Sequence, residues 1–215
     1  MDRDLKAQKT RNAILDSAIE LFIREGFERT SMDAIALAAQ VAKGTLYYHY
    51  DSKEGIVDAV VERYAKTMEA RLSAVENDRH LGFAGKLAAF SAALKQVNST
   101  TFSKLHHIRY IDIHDKTLTV MVQRSAPYLA RILEQGNKGG DCRVADPLGY
   151  AEILLAAGHA LLDPEAGIEQ LPRRLAAISQ MTAAALGMDL RAIEQAYRPL
   201  GEPKHRPTKK ARKAP

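Results

Sequence analysis

Residues 32–53 read MDAIALAAQVAKGTLYYHYDSK. The apolar spacing of this stretch predicts two short helices joined by a tight turn. With Leu46 and Tyr50 fixed on the buried side of the second helix, a rotation of about 100° per residue turns Gly44 and Tyr48 directly outward. A first helix that holds a second helix outward is the helix-turn-helix arrangement, whose usual function is to read DNA.

The outward side of this second helix carries groups that suit a DNA groove. An interior glycine costs a helix about 1 kcal/mol relative to alanine, so Gly44 is expected where another surface comes close. Thr45 offers a hydroxyl and a methyl group to base edges, and Lys43 can reach guanine O6 and N7 or a phosphate. The hydroxyls of Tyr47 and Tyr48 can bind phosphates. Because such a face has little value to a protein core, DNA reading is favoured over an ordinary amphipathic helix.

The sequence upstream predicts a first helix over about residues 9–25, because apolar residues recur from Ile14 at positions i, i+4, i+7 and i+8. Gly26 follows as a C′ residue in the left-handed conformation. Residues 1–11 are expected to form a flexible basic lead-in. They either lie along phosphates or in a minor groove, or form a frayed terminus.

Thr30 and Ser31 open the first helix of the helix-turn-helix unit. Thr30 stands three residues before Asp33, which is the spacing of a capping box. Either hydroxyl could instead be given to a DNA phosphate at the N-terminus of that helix. The two roles are compatible, because both hydroxyl residues are present.

Residues 9–60 resemble the N-terminal domain of the TetR family of bacterial transcriptional repressors. The likeness rests on an alanine-rich first helix and on short motifs, namely Gly26-Phe27, Thr30-Ser31, Ile35-Ala36, Val41, the run from Lys43 to Tyr50, and Ser52-Lys53-Glu54. It implies that Lys53 binds a phosphate and that five positions approach bases or the flanking backbone, namely Lys43, Gly44, Thr45, Tyr47 and His49. The full set predicted to bind DNA is Thr30, Ser31, Lys43, Gly44, Thr45, Tyr47, Tyr48, His49 and Lys53.

Two positions depart from the pattern of that family, and both lie at the turn. Gln40 stands where the family usually has glycine, so the turn must tolerate a side chain. Ala42 replaces the usual serine or similar cap of the second helix, so the start of that helix is expected to be less well capped.

The net charge of +5 does not lie on the predicted DNA reader. Residues 202–215 hold six Lys or Arg and one Glu, which accounts for all of it. Residues 1–55 hold eight Lys or Arg against nine Asp or Glu, a net charge of −1. DNA binding must therefore depend on placed groups rather than on overall charge. The tail either adds sequence-independent phosphate affinity or stays solvated without a specific partner.

The predicted fold is all-α, with an N-terminal three-helix helix-turn-helix head and a larger helical ligand-binding and dimerisation domain. The expected domain bounds are 1–52 for the head, 53–200 for the larger domain and 201–215 for a disordered basic tail. Further helices are predicted over about 53–76, 83–97, 101–111, 116–135, 147–162 and 171–186.

A small-molecule site is expected where polar and aromatic residues collect between residues 102 and 128. Pro127 interrupts a predicted helix there, and it either forms a pocket wall or hinge or makes a fixed bend. The predicted ligand contacts are Phe102, His107, Tyr110, His114, Met121 and Tyr128. The alternative is a metal- or redox-responsive sensor, or an enzyme, that uses His106, His107 and His114, although their spacing lacks a strong metal motif.

The last two long helices are expected to pair with a second copy in a four-helix bundle, because both carry apolar residues on more than one face. The family resemblance implies the same homodimer. The predicted interface residues are Leu155, Gly158, His159, Leu162, Leu175, Ile178 and Thr182.

Several features limit the class of protein. The single cysteine, Cys142, excludes an internal disulfide, no apolar run is long enough to span a membrane, and the charged start is not a signal peptide. A cytoplasmic protein is expected, without a cofactor, and no nucleophilic triad or phosphate loop indicates an enzyme. The sequence predicts a homodimeric DNA-binding regulator, a repressor that an unknown small-molecule effector releases from a palindromic operator read in the major groove.

Overall fold

The computed structural model describes residues 2–97, 111–161, 168–191 and 193 of the chain. The helices of these residues are α1 (Asp2–Glu25), α2 (Met32–Ala38), α3 (Lys43–His49), α4 (Lys53–Asn77), α5 (Phe83–Val97), α6 (Ile111–Gly139), α7 (Pro147–Leu161) and α8 (Leu171–Leu186). A 3-10 turn, Ile168–Gln170, precedes α8. The described part of the chain is all-α, as the sequence predicts. The helix predicted over 101–111 lies outside the described residues except for Ile111. The predicted tail lies outside them entirely.

The helix α1 is longer than predicted. It begins at Asp2, so the expectation of a flexible lead-in over residues 1–11 is wrong for the described residues from 2 onward. No proline or glycine interrupts residues 2–10, and the good helix formers there continue the helix seven residues beyond the predicted start. The C-terminal end is as predicted: Gly26 has φ +90° and its N–H donates to the carbonyl of Phe22 at 3.0 Å.

The first helix of the helix-turn-helix unit is capped by Ser31, not by Thr30. The Ser31 hydroxyl accepts from the Ala34 N–H at 3.1 Å, whereas Thr30 is 2% exposed and its hydroxyl donates to the Gly26 carbonyl at 2.8 Å. The capping box predicted for Thr30 and Asp33 is therefore wrong. The N-cap must be the last residue with an extended backbone before the helix, and that residue is Ser31. Thr30, one position earlier, is buried in the core instead.

Both departures from the family pattern are visible at the turn between α2 and α3. Gln40 has φ +55°, in the left-handed region that glycine adopts most easily. Its exposed side chain meets no core residue that would restrict it. Ala42 is the N-cap residue of α3 and supplies no side-chain hydrogen bond. The turn forms in spite of these residues, because α2 and α3 bury Ile35, Ala36 and Leu46 against the head core.

The helix α4 connects the head to the remainder of the described chain. Ser52 caps it by accepting from the Gly55 N–H at 3.1 Å. Its buried stripe packs against α1 at one end and against α5 and α6 along its length, and contains Ile56, Val57, Val60, Val61, Tyr64, Ala65, Met68 and Leu72. Burial of about eight such side chains makes α4 the element that fixes the head relative to these neighbours.

A row of ion pairs joins α4 to α6. Arg124 binds Glu69 through Nε at 2.6 Å and Nη2 at 2.9 Å, and Arg131 binds Glu76 at 2.6 and 2.9 Å. Glu69 and Glu76 are seven residues apart on α4, and so are their partners on α6. Because the pairs advance together along both helices, α4 and α6 run parallel. Asp58 and Lys116 form a further pair at the end nearer the head.

The helix α6 extends beyond the predicted bounds of 116–135 at both ends. Pro127 lies inside it, as predicted, and cannot donate to the carbonyl one turn earlier. Gly136 does not end the helix: an added Cβ would lie 2.5 Å from the Phe83 ring and 2.8 Å from the Cys142 sulfur. That glycine lets α5 and the segment after α6 approach closely, and the left-handed residue after the helix is Gly140, with φ +78°.

The helices α7 and α8 pack against each other, and part of the predicted dimer interface is occupied by that packing. Ile178 and Thr182 are 8% and 4% exposed, so the chain covers them itself and their assignment to a dimer interface is wrong. Leu155 and Leu175 are half-buried, and Gly158 lies beside open space. The His159 side chain and Leu162 lie outside the described residues. Among the described side chains of α7 and α8, the large apolar ones that are exposed are Leu148, Ile153 and Met181.

Candidate DNA-binding surface

The helix α3 presents the face that the sequence predicts. Leu46 is fully buried and Tyr50 half-buried, while Tyr48 is 82% exposed and Tyr47 is 42% exposed. An added Cβ at Gly44 would meet nothing within 4 Å, so the chain itself does not require glycine at this exposed position. Thr45 is half-buried beside it. A bare backbone flanked by a hydroxyl and two phenols is suited to close contact with a second surface.

Lys43, the first residue of α3, is not a free cation. Its ammonium group lies 2.9 Å from the carboxylate oxygens of Asp33 in α2 and 5.9 Å from the centre of the Tyr47 ring. The hydrogen bond to Asp33 and its negative charge raise the pKa of Lys43 above its ordinary value. Both side chains remain more than 60% exposed, so the pair lies on the surface of the helix-turn-helix unit.

His49 closes α3 beside the N-terminal part of the chain. Its ring meets Tyr48 edge to face with centroids 5.1 Å apart. Partial burial, and secondarily the positive charge of Arg11 on α1, lower the pKa of His49 below its ordinary value. Both effects favour the neutral imidazole, and Arg11 brings a cation to the same end of α3.

Three predicted DNA contacts have structural roles in the free protein. The Lys53 ammonium donates to the carbonyls of Phe27 at 2.7 Å and Glu28 at 3.2 Å and lies 4.6 Å from the centre of the Phe27 ring. Ser31 caps α2. Thr30 is buried, which contradicts its prediction as a DNA contact, because its hydroxyl does not reach the surface. The exposed groups brought together are thus those of α3 with Ser31 and Asp33 at the start of α2.

Two neighbours of the predicted DNA-binding residues, Asp33 beside Lys43 and Arg11 beside His49, could not be identified from the sequence. The sequence indicates only a capping role for Asp33, and for Arg11 only a place in a flexible lead-in. A separation of ten residues across a turn has no periodic signature, so the pairing of Asp33 with Lys43 required coordinates.

The predicted small-molecule contacts are only partly described. Met121 is 7% exposed in the core between helices, and Tyr128 is half-buried with the Arg131 guanidinium 4.6 Å from its ring centre. Phe102, His107 and Tyr110, together with His106 of the alternative metal site, lie outside the described residues. His114 belongs to α6, but its side chain is not described.

The described residues contain neither a metal-binding cluster nor a membrane span. No group of three or more His, Cys, Asp or Glu side chains within them is arranged to hold a metal ion. Across the same residues, no helix combines the length and the apolar character needed to cross a membrane.

Comparison with known proteins finds the head in a defined family. A family model described as bacterial regulatory proteins, tetR family, matches residues 14–60. The transcriptional regulator UidR of Escherichia coli K12 is 43% identical over 56 residues, which are 26% of this chain and 29% of UidR. IcaR of Staphylococcus epidermidis, a negative transcriptional regulator of the biofilm operon icaADBC, is 42% identical over 52 residues, 24% of this chain and 28% of IcaR. The sequence matches thus span less than a third of each relative.

The likeness in fold extends much further than the likeness in sequence. The crystal structure of a gamma-butyrolactone receptor, an ArpA-like protein, superimposes with a TM-score of 0.60 over 90% of this chain and 97% of the receptor. Only 19% of the aligned residues are identical, so this match concerns the architecture alone.

Proposed function

We propose that this chain, which belongs to the TetR family of bacterial regulatory proteins, is a DNA-binding transcriptional regulator, and that it is a repressor released from a palindromic operator by a small-molecule effector. The observation that carries the proposal is the exposed face of α3. Gly44, Tyr47 and Tyr48 are exposed there on a seven-residue helix whose opposite side is anchored by Leu46 at 0% exposure. An exposed surface of this composition is suited to the major groove.

The residues differ in the contacts proposed for them. Lys43 and Thr45 face base edges, and Gly44 allows the backbone to approach closely. Tyr47, Tyr48 and His49 bind phosphates and sugars at the groove edge, with Ser31 at the start of α2. Thr30 and Lys53 hold the turn before α2 and contribute through position, since their polar groups are already bonded within the head.

The dimer is proposed to form through the outer sides of α7 and α8. Leu148, Ile153 and Met181 are 46%, 72% and 70% exposed on these helices, and contact with a second copy would remove this apolar surface from water. Exposed alanines, at positions 156, 157, 177, 184 and 185, allow helices from a second copy to approach closely. Two copies related by a two-fold axis bring two α3 helices to the two halves of a palindromic site.

The effector is proposed to bind among α4, α5 and α6, with Met121 and Tyr128 among its contacts and Phe102, His107, Tyr110 and His114 as further candidates. Two observations support this. The structural neighbour is a receptor for a small molecule, and α4 joins that region to the head. A ligand that prefers one position of α4 would shift the spacing of the two heads. The comparisons lend no support to the alternative of a metal- or redox-responsive sensor, or an enzyme, and the two sequence relatives described above are named as transcriptional regulators.

The test begins with selection of duplexes from a random-sequence library by the wild-type protein. Binding of the selected duplex is then compared for Tyr47→Ala, Lys43→Ala and Lys138→Ala, the last an exposed lysine near the end of α6. Loss of about tenfold or more in affinity is expected for each head variant, by the usual cost of a base or phosphate contact, and little change for Lys138→Ala. A library that yields no consensus, or head variants with unchanged affinity and site preference, would contradict the proposal.

A further inference from the structure

The pair formed by Asp33 and Lys43 joins the N-terminal ends of the two helices of the helix-turn-helix unit. The Lys43 ammonium is 2.9 Å from the carboxylate oxygens of Asp33. Asp33 lies in the first turn of α2 and Lys43 is the first residue of α3, so this contact crosses the turn between the helices. The side chains are 61% and 64% exposed, which puts a carboxylate next to the cation on the proposed DNA-binding surface.

Other cations of the head are also engaged in the free protein. Lys53 donates to two carbonyls, Arg29 donates to the Glu25 carbonyl at 2.6 Å, and Arg24 pairs with the Glu25 carboxylate at 2.7 Å. With a net charge of −1 over residues 1–55, the head offers DNA phosphates little general attraction. The accessible charge of Lys43 therefore has a large influence on how strongly any DNA is held.

A phosphate and a base edge respond differently to a paired lysine. A phosphate is an anion, so it must either displace the Asp33 carboxylate or accept repulsion from it. A guanine edge is neutral. It can accept one hydrogen bond from the ammonium group while Asp33 accepts another, since the lysine ammonium group has three N–H donors. The carboxylate also limits where the flexible lysine side chain can point, and so directs its remaining donors.

We infer that Asp33 is a specificity-determining residue, which weakens the binding of Lys43 to phosphates of arbitrary sequence and leaves its binding to the correct base edge nearly intact. The inference rests on the proposed function. Removing the carboxylate should strengthen binding to all DNA but most of all to the wrong DNA. The ratio of specific to non-specific affinity should therefore fall.

The experiment uses the full chain and two duplexes of equal length, one selected from a random library by the wild-type protein and one a scramble of it. Asp33→Asn is compared with Asp51→Asn, which removes the same charge from an exposed position of the head that does not pair with Lys43. Both changes are repeated in a Lys43→Met background. Circular dichroism melts confirm that each variant is folded.

The expected result is that Asp33→Asn tightens binding to the scrambled duplex about fivefold and to the selected duplex about twofold or less, and steepens the slope of log affinity against log salt on the scramble by about one. In the Lys43→Met background, Asp33→Asn and Asp51→Asn should have equal effects. The inference is overturned if Asp33→Asn matches Asp51→Asn in the wild-type background, or if Asp33→Asn still has a larger effect than Asp51→Asn in the Lys43→Met background. A wild-type protein that fails to distinguish the two duplexes contradicts the proposed function itself.

Discussion

Among the described residues, Gln40 is the non-glycine residue with a positive φ. A φ of +55° in a non-glycine residue brings its Cβ close to backbone atoms, at a cost of about 1–2 kcal/mol. The residue is exposed, so no packing contact offsets this cost. The strain is compensated by the burial of Ile35 before the turn and Leu46 after it.

Gln40→Gly should therefore stabilise the protein by about 0.5–1 kcal/mol, since the relief of strain exceeds the added freedom of the unfolded chain. Gln40→Val, with a β-branched side chain, should destabilise it by about 1–2 kcal/mol. The free energy of unfolding from urea titration measures both. A glycine variant no more stable than the wild type would show that the turn is unstrained.

His49 gives the proposed DNA-binding surface a dependence on pH. Burial, then Arg11, holds its pKa below 6.5 in the free protein. A nearby phosphate would raise that pKa in the complex, because it favours the charged imidazole. The complex would then take up a proton on forming, and affinity should increase as the pH falls from 7.5 toward 6.0, by about two- to threefold.

The control is His49→Gln, which keeps a polar side chain of similar size but does not titrate. Its affinity should change less over the same pH range, measured by fluorescence anisotropy on the selected duplex. Equal pH profiles for the two proteins would place His49 away from any phosphate.

The sequence predicted which side chains of α3 are exposed, but it did not predict which groups the lysine side chains of the head bind. A rotation of about 100° per residue correctly separates Leu46 from Gly44 and Tyr48. The bonds from Lys53 to the carbonyls of Phe27 and Glu28, and the bond from Lys43 to Asp33, join residues that are far apart along the chain and leave no periodic trace in the sequence. The same is true of Thr30, whose burial follows from the turn geometry after Gly26.

At the scale of elements, the ion pairs between α4 and α6 are the contacts with the most specific geometry. The bidentate salt bridge between Arg124 and Glu69 joins side chains that are 36% and 25% exposed. Pairs of this kind, partly shielded and well aligned, contribute more than flexible surface pairs.

A double-mutant cycle of Glu69→Gln and Arg124→Gln should give a coupling energy of about 0.5–1 kcal/mol that decreases at a salt concentration of about 1 M. The matched control is Glu62 with Lys66, one turn apart on α4, whose side chains are 44% and 70% exposed. Its coupling should be near zero. Equal coupling energies in the two cycles would mean that the pairs between helices do not fix α6 to α4.

Helix existence could be predicted from sequence more reliably than helix bounds. Gly26 ends α1 as expected, with φ +90°, and Gly187 ends α8 in the same way, with φ +64°. Gly136 is a further glycine late in a helix, but it lies inside α6, where it allows close packing against Phe83 and does not end the helix. The predicted start of α1 is too late, because a charged segment without an apolar face can still be helical.

At the scale of the whole molecule, the proposed dimer depends on side chains that the chain leaves exposed. Ile153→Glu and Met181→Glu should each convert the dimer to a monomer at micromolar concentration, since a charge would be buried against a second copy. Sedimentation velocity measures the mass. Ala74→Glu, which adds the same charge to an exposed position of α4, should remain dimeric.

The same variants also test what the dimer does. A monomer presents one α3 helix, so affinity for a palindromic duplex should fall by at least about tenfold while affinity for a single half-site is unchanged. A mass unchanged by both substitutions would place the interface elsewhere. The sequence assigns this interface to the same pair of helices as the proposal, but to residues such as Ile178 and Thr182 that the chain buries within itself.

We expect two α3 helices to enter the major groove at two symmetric half-sites. Methylation protection on the selected duplex tests this placement, because dimethyl sulfate reports guanine N7 in the major groove and adenine N3 in the minor groove. The expected result is protection of guanine N7 in two symmetric clusters, with centres one or more helical turns apart on one face of the duplex, each turn being about 34–36 Å. Protection confined to adenine N3, or a single cluster without a symmetric partner, would contradict this placement.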